Sequence, residues 1–145
     1  MNPFYQTKNY PSFLIRFAVG IIFFSEGIQK FLFPETLGSG RFEQLGFARP
    51  VFWANLTGTI EIICSDFILV GLFTRVAAIP LLIIMVLAFV KTKYPELRDK
   101  GFWIMAHDYR TDFAMTILLI YLLIFGGGQH SLDKQLMESK NYQKK

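Results

Sequence analysis

F-L-I-R-F-A-V-G-I-I-F-F-S-E-G-I-Q-K-F-L-F, Phe13–Phe33, decides how this chain is read. It has the length of a bilayer crossing, about 20 mostly apolar residues at 1.5 Å rise each. It also carries Arg16, Glu26 and Lys30, charges that lipid does not tolerate without a reason. Similar stretches follow at Val51–Phe73, Val76–Lys91 and Thr111–Gly128. The third is the shortest and extends to Lys93 if the lysine side chains snorkel. None shows apolar/polar alternation, and all are too long for barrel strands, so helices are expected. The expected fold is all-α: one domain over residues 1–145, a bundle of four transmembrane helices at about 13–33, 51–73, 76–93 and 111–128. An even number of crossings places both termini on one side.

Composition agrees. Hydrophobic residues make up 52% and aromatics 17%, too apolar for a soluble basic domain, so the net charge of +4 is no argument for nucleic acid. The Lys140–Lys145 tail reads as solvated charge at a terminus, with contact to anionic headgroups as the lesser alternative. Cys64 is the single cysteine, so an intramolecular disulfide and a dithiol pair are both excluded, and a packing role is expected. The first apolar segment contains charges and no small-residue cleavage site follows, so it reads as an uncleaved span.

The connections differ in length. Pro34–Pro50 contains Gly38, Gly40 and Gly46 as breakers, and Arg41–Leu45 reads as a short interfacial turn. Thr74–Arg75 joins the second and third spans tightly and makes them antiparallel neighbours. Thr92–Arg110 reads as a long aromatic loop with Tyr94, Phe102, Trp103 and Tyr109, on the same side as Trp53. Lysines and arginines on the two faces do not separate inside from outside.

The charges within the spans are the candidate site. Each costs about 2.5–3.5 kcal/mol at a helix centre and needs protein or water as a partner. On the first span Arg16, Gly20, Phe23, Gly27 and Lys30 share a face, and the two glycines allow another helix close. Glu26 and Lys30 have the spacing of an intrahelical pair. On the second span Gly58, Glu61 and Ser65 line one face, with Asp66 turned away from Glu61. By rise per residue, Lys30 lies about 5 Å and Glu61 about 15 Å from the long-loop side, so Glu61 has no evident cation at its depth. Arg16 and Asp66 lie at about 5 Å and 11 Å from the opposite side and are expected to form a structural charge pair. Asp112 is expected to begin the fourth helix, where the dipole favours an anion.

Glu26, Lys30, Glu61 and Asp112 are therefore expected to converge on a polar cavity open to the long-loop face, a candidate substrate-binding site. The bland alternative is that they only tie the bundle together. His107, beside Asp108 and near Asp112, is a candidate for proton transfer at the rim. Both histidines lie outside the spans and zinc-type spacing is absent, so neither haem nor a metal is expected.

The same residues carry a family likeness. R-F-A-V-G-I-I-F-F-S-E-G-I-Q-K-F from Arg16, the run from Gly58 through Glu61 to G-L-F-T-R at Gly71–Arg75, G-F-W-I-M-A-H-D-Y-R-T-D-F-A-M at Gly101–Met115, and G-G-G-Q-H-S-L-D at Gly126–Asp133 follow in order along nearly the whole chain. The chain resembles the DoxX family of small bacterial membrane proteins. The resemblance implies a four-helix bundle in the bacterial cytoplasmic (inner) membrane. It also implies a redox setting, with a quinone or a sulfur compound handled for a soluble partner. It supplies no catalytic residues. Gly126–Asp133 is expected to cap the fourth helix.

The leading expectation is a membrane component of a redox system that binds a quinone or sulfur compound for a partner protein. A small-solute or proton-coupled transporter using Glu26, Glu61 and Asp112 is the second reading. A non-catalytic scaffold docking partners through its aromatic loops is the third. Expected partners are the lipid bilayer, a redox partner protein and, as an open alternative, further copies of the chain.

Overall fold

The computed structural model describes residues 10–128 and 130–142. Lys8, Gln129, Lys144 and Lys145 lie outside them. The described chain runs α1 (Tyr10–Leu32), α2 (Ser39–Gln44), α3 (Pro50–Val70), α4 (Thr74–Ala88), a π-helical turn (Phe89–Lys93), α5 (Tyr94–Lys100), α6 (Phe102–Phe125) and α7 (Leu132–Tyr142).

Apolar residues point both ways along these helices, which is the pattern of a bundle in lipid. Val19, Ile68, Ala78, Leu81, Leu119 and Leu122 fill the interior, while Phe13, Phe17, Ile63, Val76, Ile83 and Ile117 stand exposed on the outside. Among the described residues three helices are long and apolar enough to cross a membrane: Ser12–Leu32, Pro50–Val70 and Thr74–Lys100. α6 has 24 residues, but its first half carries His107, Asp108, Arg110 and Asp112. The helices pack as a ring: α1 on α3, α3 on α4, α4 on α6 and α6 on α1. α2 lies against α3. The ring has two ends. One, here the loop end, carries α2 and α5; at the other, the exit end, α3 hands over to α4 and α6 to α7.

Two expectations about the connections are corrected. Thr92–Arg110 is not a loop, because the helical path continues from Thr74 to Lys100 and α6 begins at Phe102. Pro95, which lacks a backbone donor, lies just past the π-helical turn, where the hydrogen-bond register of the continuous helix changes. Gly101, with φ +89°, makes the break. The second span also ends earlier than Phe73. Gly71 adopts φ +74°, and the Leu72 amide donates back to the Phe67 carbonyl at 2.9 Å, closing α3.

Candidate functional site

α1 and α3 meet most closely where both lack a side chain. A Cβ on Gly27 would stand 2.8 Å from the Gly58 carbonyl oxygen and 3.1 Å from the Glu61 Cβ. One turn beyond Gly27, the Lys30 ammonium donates to a Glu61 carboxylate oxygen at 2.6 Å. The side chains are 13% and 4% exposed, so this is a buried ion pair between helices. The same ammonium lies 3.4 Å from the Glu26 backbone carbonyl. The intrahelical Glu26–Lys30 side-chain pair is therefore corrected: Lys30 is spent on Glu61, and Glu26 is exposed. The Lys30 and Glu61 side chains, reaching toward one another, together close the depth difference that left Glu61 without a cation.

Two further acids belong to this end of the bundle. The Glu26 carboxylate acts electrostatically on both Glu61 and Asp112. Asp112 is half-buried and feels the positive charges of Lys93 and Arg41. Since α6 starts at Phe102, Asp112 stands in its third turn, and the helix-start rationale for its charge is corrected. Lys93 also reaches Glu96 at 3.5 Å. His107 is exposed, and its ring nitrogens lie 2.6 and 2.9 Å from Arg110 Nη1. No described contact joins His107 to the Lys30–Glu61 pair.

At the exit end a second knot holds Arg16, which is 2% exposed. Its Nη1 donates to the Leu69 carbonyl at 3.1 Å, and its Nη2 to the His130 carbonyl at 3.0 Å. The C-terminal carbonyls of α3 offer the negative end of a helix to this cation. The Asp133 carboxylate acts on it electrostatically and itself accepts from the amides of Phe73, at 2.8 Å, and Thr74, at 3.2 Å. The Arg16–Asp66 charge pair is therefore corrected. Asp66 is exposed on the outer face of α3 and forms no ion pair among the described residues. Gly126–Asp133 does more than close α6: Asp133 caps α4, and Ser131 packs where Gly71 and Gly127 leave room. Among the described residues no group of three or more His, Cys, Asp and Glu side chains is arranged for a metal ion.

The sequence profile of the DoxX family matches residues 12–93, more than half of the chain. The chain belongs to the DoxX family. The matched stretch holds Arg16, Glu26, Lys30 and Glu61 and ends before His107 and Asp112. An uncharacterised membrane protein of Mycobacterium tuberculosis is 52% identical, covering 84% of this chain and 78% of its own length. An uncharacterised protein of Haemophilus influenzae is 28% identical, covering 95% of this chain and 99% of its own. No solved structure matches the chain.

Proposed function

We propose that this DoxX protein is a four-span component of a bacterial inner-membrane redox system that binds a lipid-soluble quinone at the Lys30–Glu61 pair and serves a soluble partner. α6 is the fourth span in this reading. Its apolar second half closes the helix ring with α4 and α1, and both chain ends then share a side.

The observation that carries the proposal is the buried ion pair itself. A cation and an anion held together in low dielectric offer one strong donor and one strong acceptor at a single point. A quinone carbonyl accepts from an ammonium, and a quinol hydroxyl donates to a carboxylate. A bound quinone supplies the exchange of two electrons and two protons; the electrons pass to or from the partner. Lys30 and Glu61 hold the head group, and exposed Glu26 stands where protons are exchanged with water. Ile62 and Phe31 pack against Gly27 and Gly58 beside the pair, so its surroundings are apolar.

Solvent extraction and mass spectrometry of the purified protein test this. Quinone in near-equimolar amount supports it. Phospholipid alone, from preparations made in quinone-producing cells, contradicts it.

A further inference from the structure

Two opposite charges near the exit end have no partner within the bundle. Asp66 is exposed on α3, four residues before its end, and Arg75 is exposed on α4, one residue after its start. Neither forms an ion pair among the described residues. By rise per residue both lie within about 6 Å of the exit end. Asp66 belongs to a candidate span, and its short stem does not reach out of that span as a lysine or arginine would. Acids inside spans face protein or water and find partners there, so an acid on an outer face implies that something covers the face.

The surfaces around the two charges are complementary. Ile63, Asp66, Phe67 and Val70 share the outer face of α3, and all are exposed, so the acid sits on an apolar ridge. Between α4 and α6 lies a groove of about 290 Å³, lined by Ile79, Leu82, Ile83, Val86, Leu87 and Leu123. Arg75 stands one turn before Ile79 on the same face of α4. It also reaches α6, because a Cβ on Gly126 would stand 3.2 Å from its Nε. The groove therefore has a cation at its exit end, and the ridge has an anion near its own. Copies in one membrane share an orientation, which brings the ridge of one level with the groove of another. A lipid chain would fill the groove and leave both charges unpaired; a second copy pairs them.

We propose that copies of this chain associate side by side in the membrane, the α3 ridge of one seated in the α4–α6 groove of the next, with Asp66 of one paired to Arg75 of the other. Ridge and groove are different surfaces, so the contact is heterologous. This does not depend on the quinone reading.

The test follows energy transfer between donor-labelled and acceptor-labelled copies of the full chain in dilute phosphatidylcholine vesicles. The dyes sit at Ser139→Cys in a Cys64→Ala background. Transfer should exceed chance proximity several-fold. Asp66→Lys or Arg75→Glu, each alone, should lower it to the chance level, because like charges then face each other. A mixture of the two single variants should restore it, since each supplies the charge that the other lacks. In detergent that separates the copies, a change at exposed Asp66 should leave folding unmoved. Chance-level transfer without either substitution overturns the proposal and leaves the groove to lipid. Transfer that neither substitution lowers overturns it by placing the contact elsewhere. If both single variants lose transfer and the mixture does not restore it, disulfide formation decides, with Asp66 and Arg75 left native. Copies with Ile63→Cys, mixed with copies carrying Ile79→Cys or Ile83→Cys, all in the Cys64→Ala background, should cross-link under oxidant. Cross-links among Ile63→Cys copies alone overturn the proposal in favour of a symmetric α3 contact, and none at all overturns it outright.

Discussion

The Lys30 ammonium and the Glu61 carboxylate meet at 2.6 Å between α1 and α3, directly beside the point where Gly27 and Gly58 bring the two helices together. Charge and close packing are therefore one arrangement. The pair is enclosed because the glycines permit the approach.

Removing one partner leaves the other charged and uncompensated. Lys30→Met alone, or Glu61→Leu alone, should destabilise the protein by about 3–5 kcal/mol, whereas the double change should recover most of the loss. Thermal unfolding in detergent across this four-member cycle measures it. Additive losses would show that the pair contributes nothing as a pair.

Gly27→Ala should cost about 1–3 kcal/mol by overpacking. Its new methyl group would meet the Gly58 carbonyl oxygen, which is backbone and cannot rotate away. At Gly20 the nearest atoms belong to the Leu69 side chain, which can. Gly20→Ala should consequently be the milder change, and the reverse order in melting temperatures would refute this packing.

Arg16 and Asp66 should behave independently. Arg16→Met strips donors from the Leu69 and His130 carbonyls, at a cost of about 1–3 kcal/mol for groups left unsatisfied. Asp66→Asn, at an exposed position, should stay within about 0.5 kcal/mol of neutral. A double-mutant cycle should give a coupling below about 0.5 kcal/mol. Strong coupling would restore the charge pair.

The contrast between these two residues shows what a sequence of this kind gives and withholds. Rise per residue set Arg16 and Asp66 at compatible depths, but depth says nothing about direction around the helix. Glu61 faces α1, and Asp66, five residues on, is turned to the outside. The partners Arg16 actually takes are backbone carbonyls, one of them His130 beyond the end of α6, and side-chain pairing rules cannot see those. For Lys30 the signal was present: it shares the Gly27 face, and two long side chains reaching toward one another span the difference in Cα depth. The apolar runs were legible because lipid demands length and hydrophobicity. The helical path through Thr92–Lys100 was not, since polar residues there hid a continuing helix.

Asp133→Ala removes the acceptor for the Phe73 and Thr74 amides at the start of α4. Loss of such a cap costs about 0.5–2 kcal/mol. Amide exchange at Phe73 and Thr74 should quicken, with little change at Lys30 at the far end of the bundle. Unchanged exchange at the two amides would mean that water replaces the carboxylate without loss.

The most direct test of the proposed site is a titration of a short-tailed quinone into nanodiscs holding either the native protein or Lys30→Met/Glu61→Leu. The double variant is expected to keep the fold while lacking both the donor and the acceptor. Saturable binding to the native protein, absent from a folded double variant, is the predicted result. Equal binding to both, or none to either, would contradict a quinone site at Lys30 and Glu61.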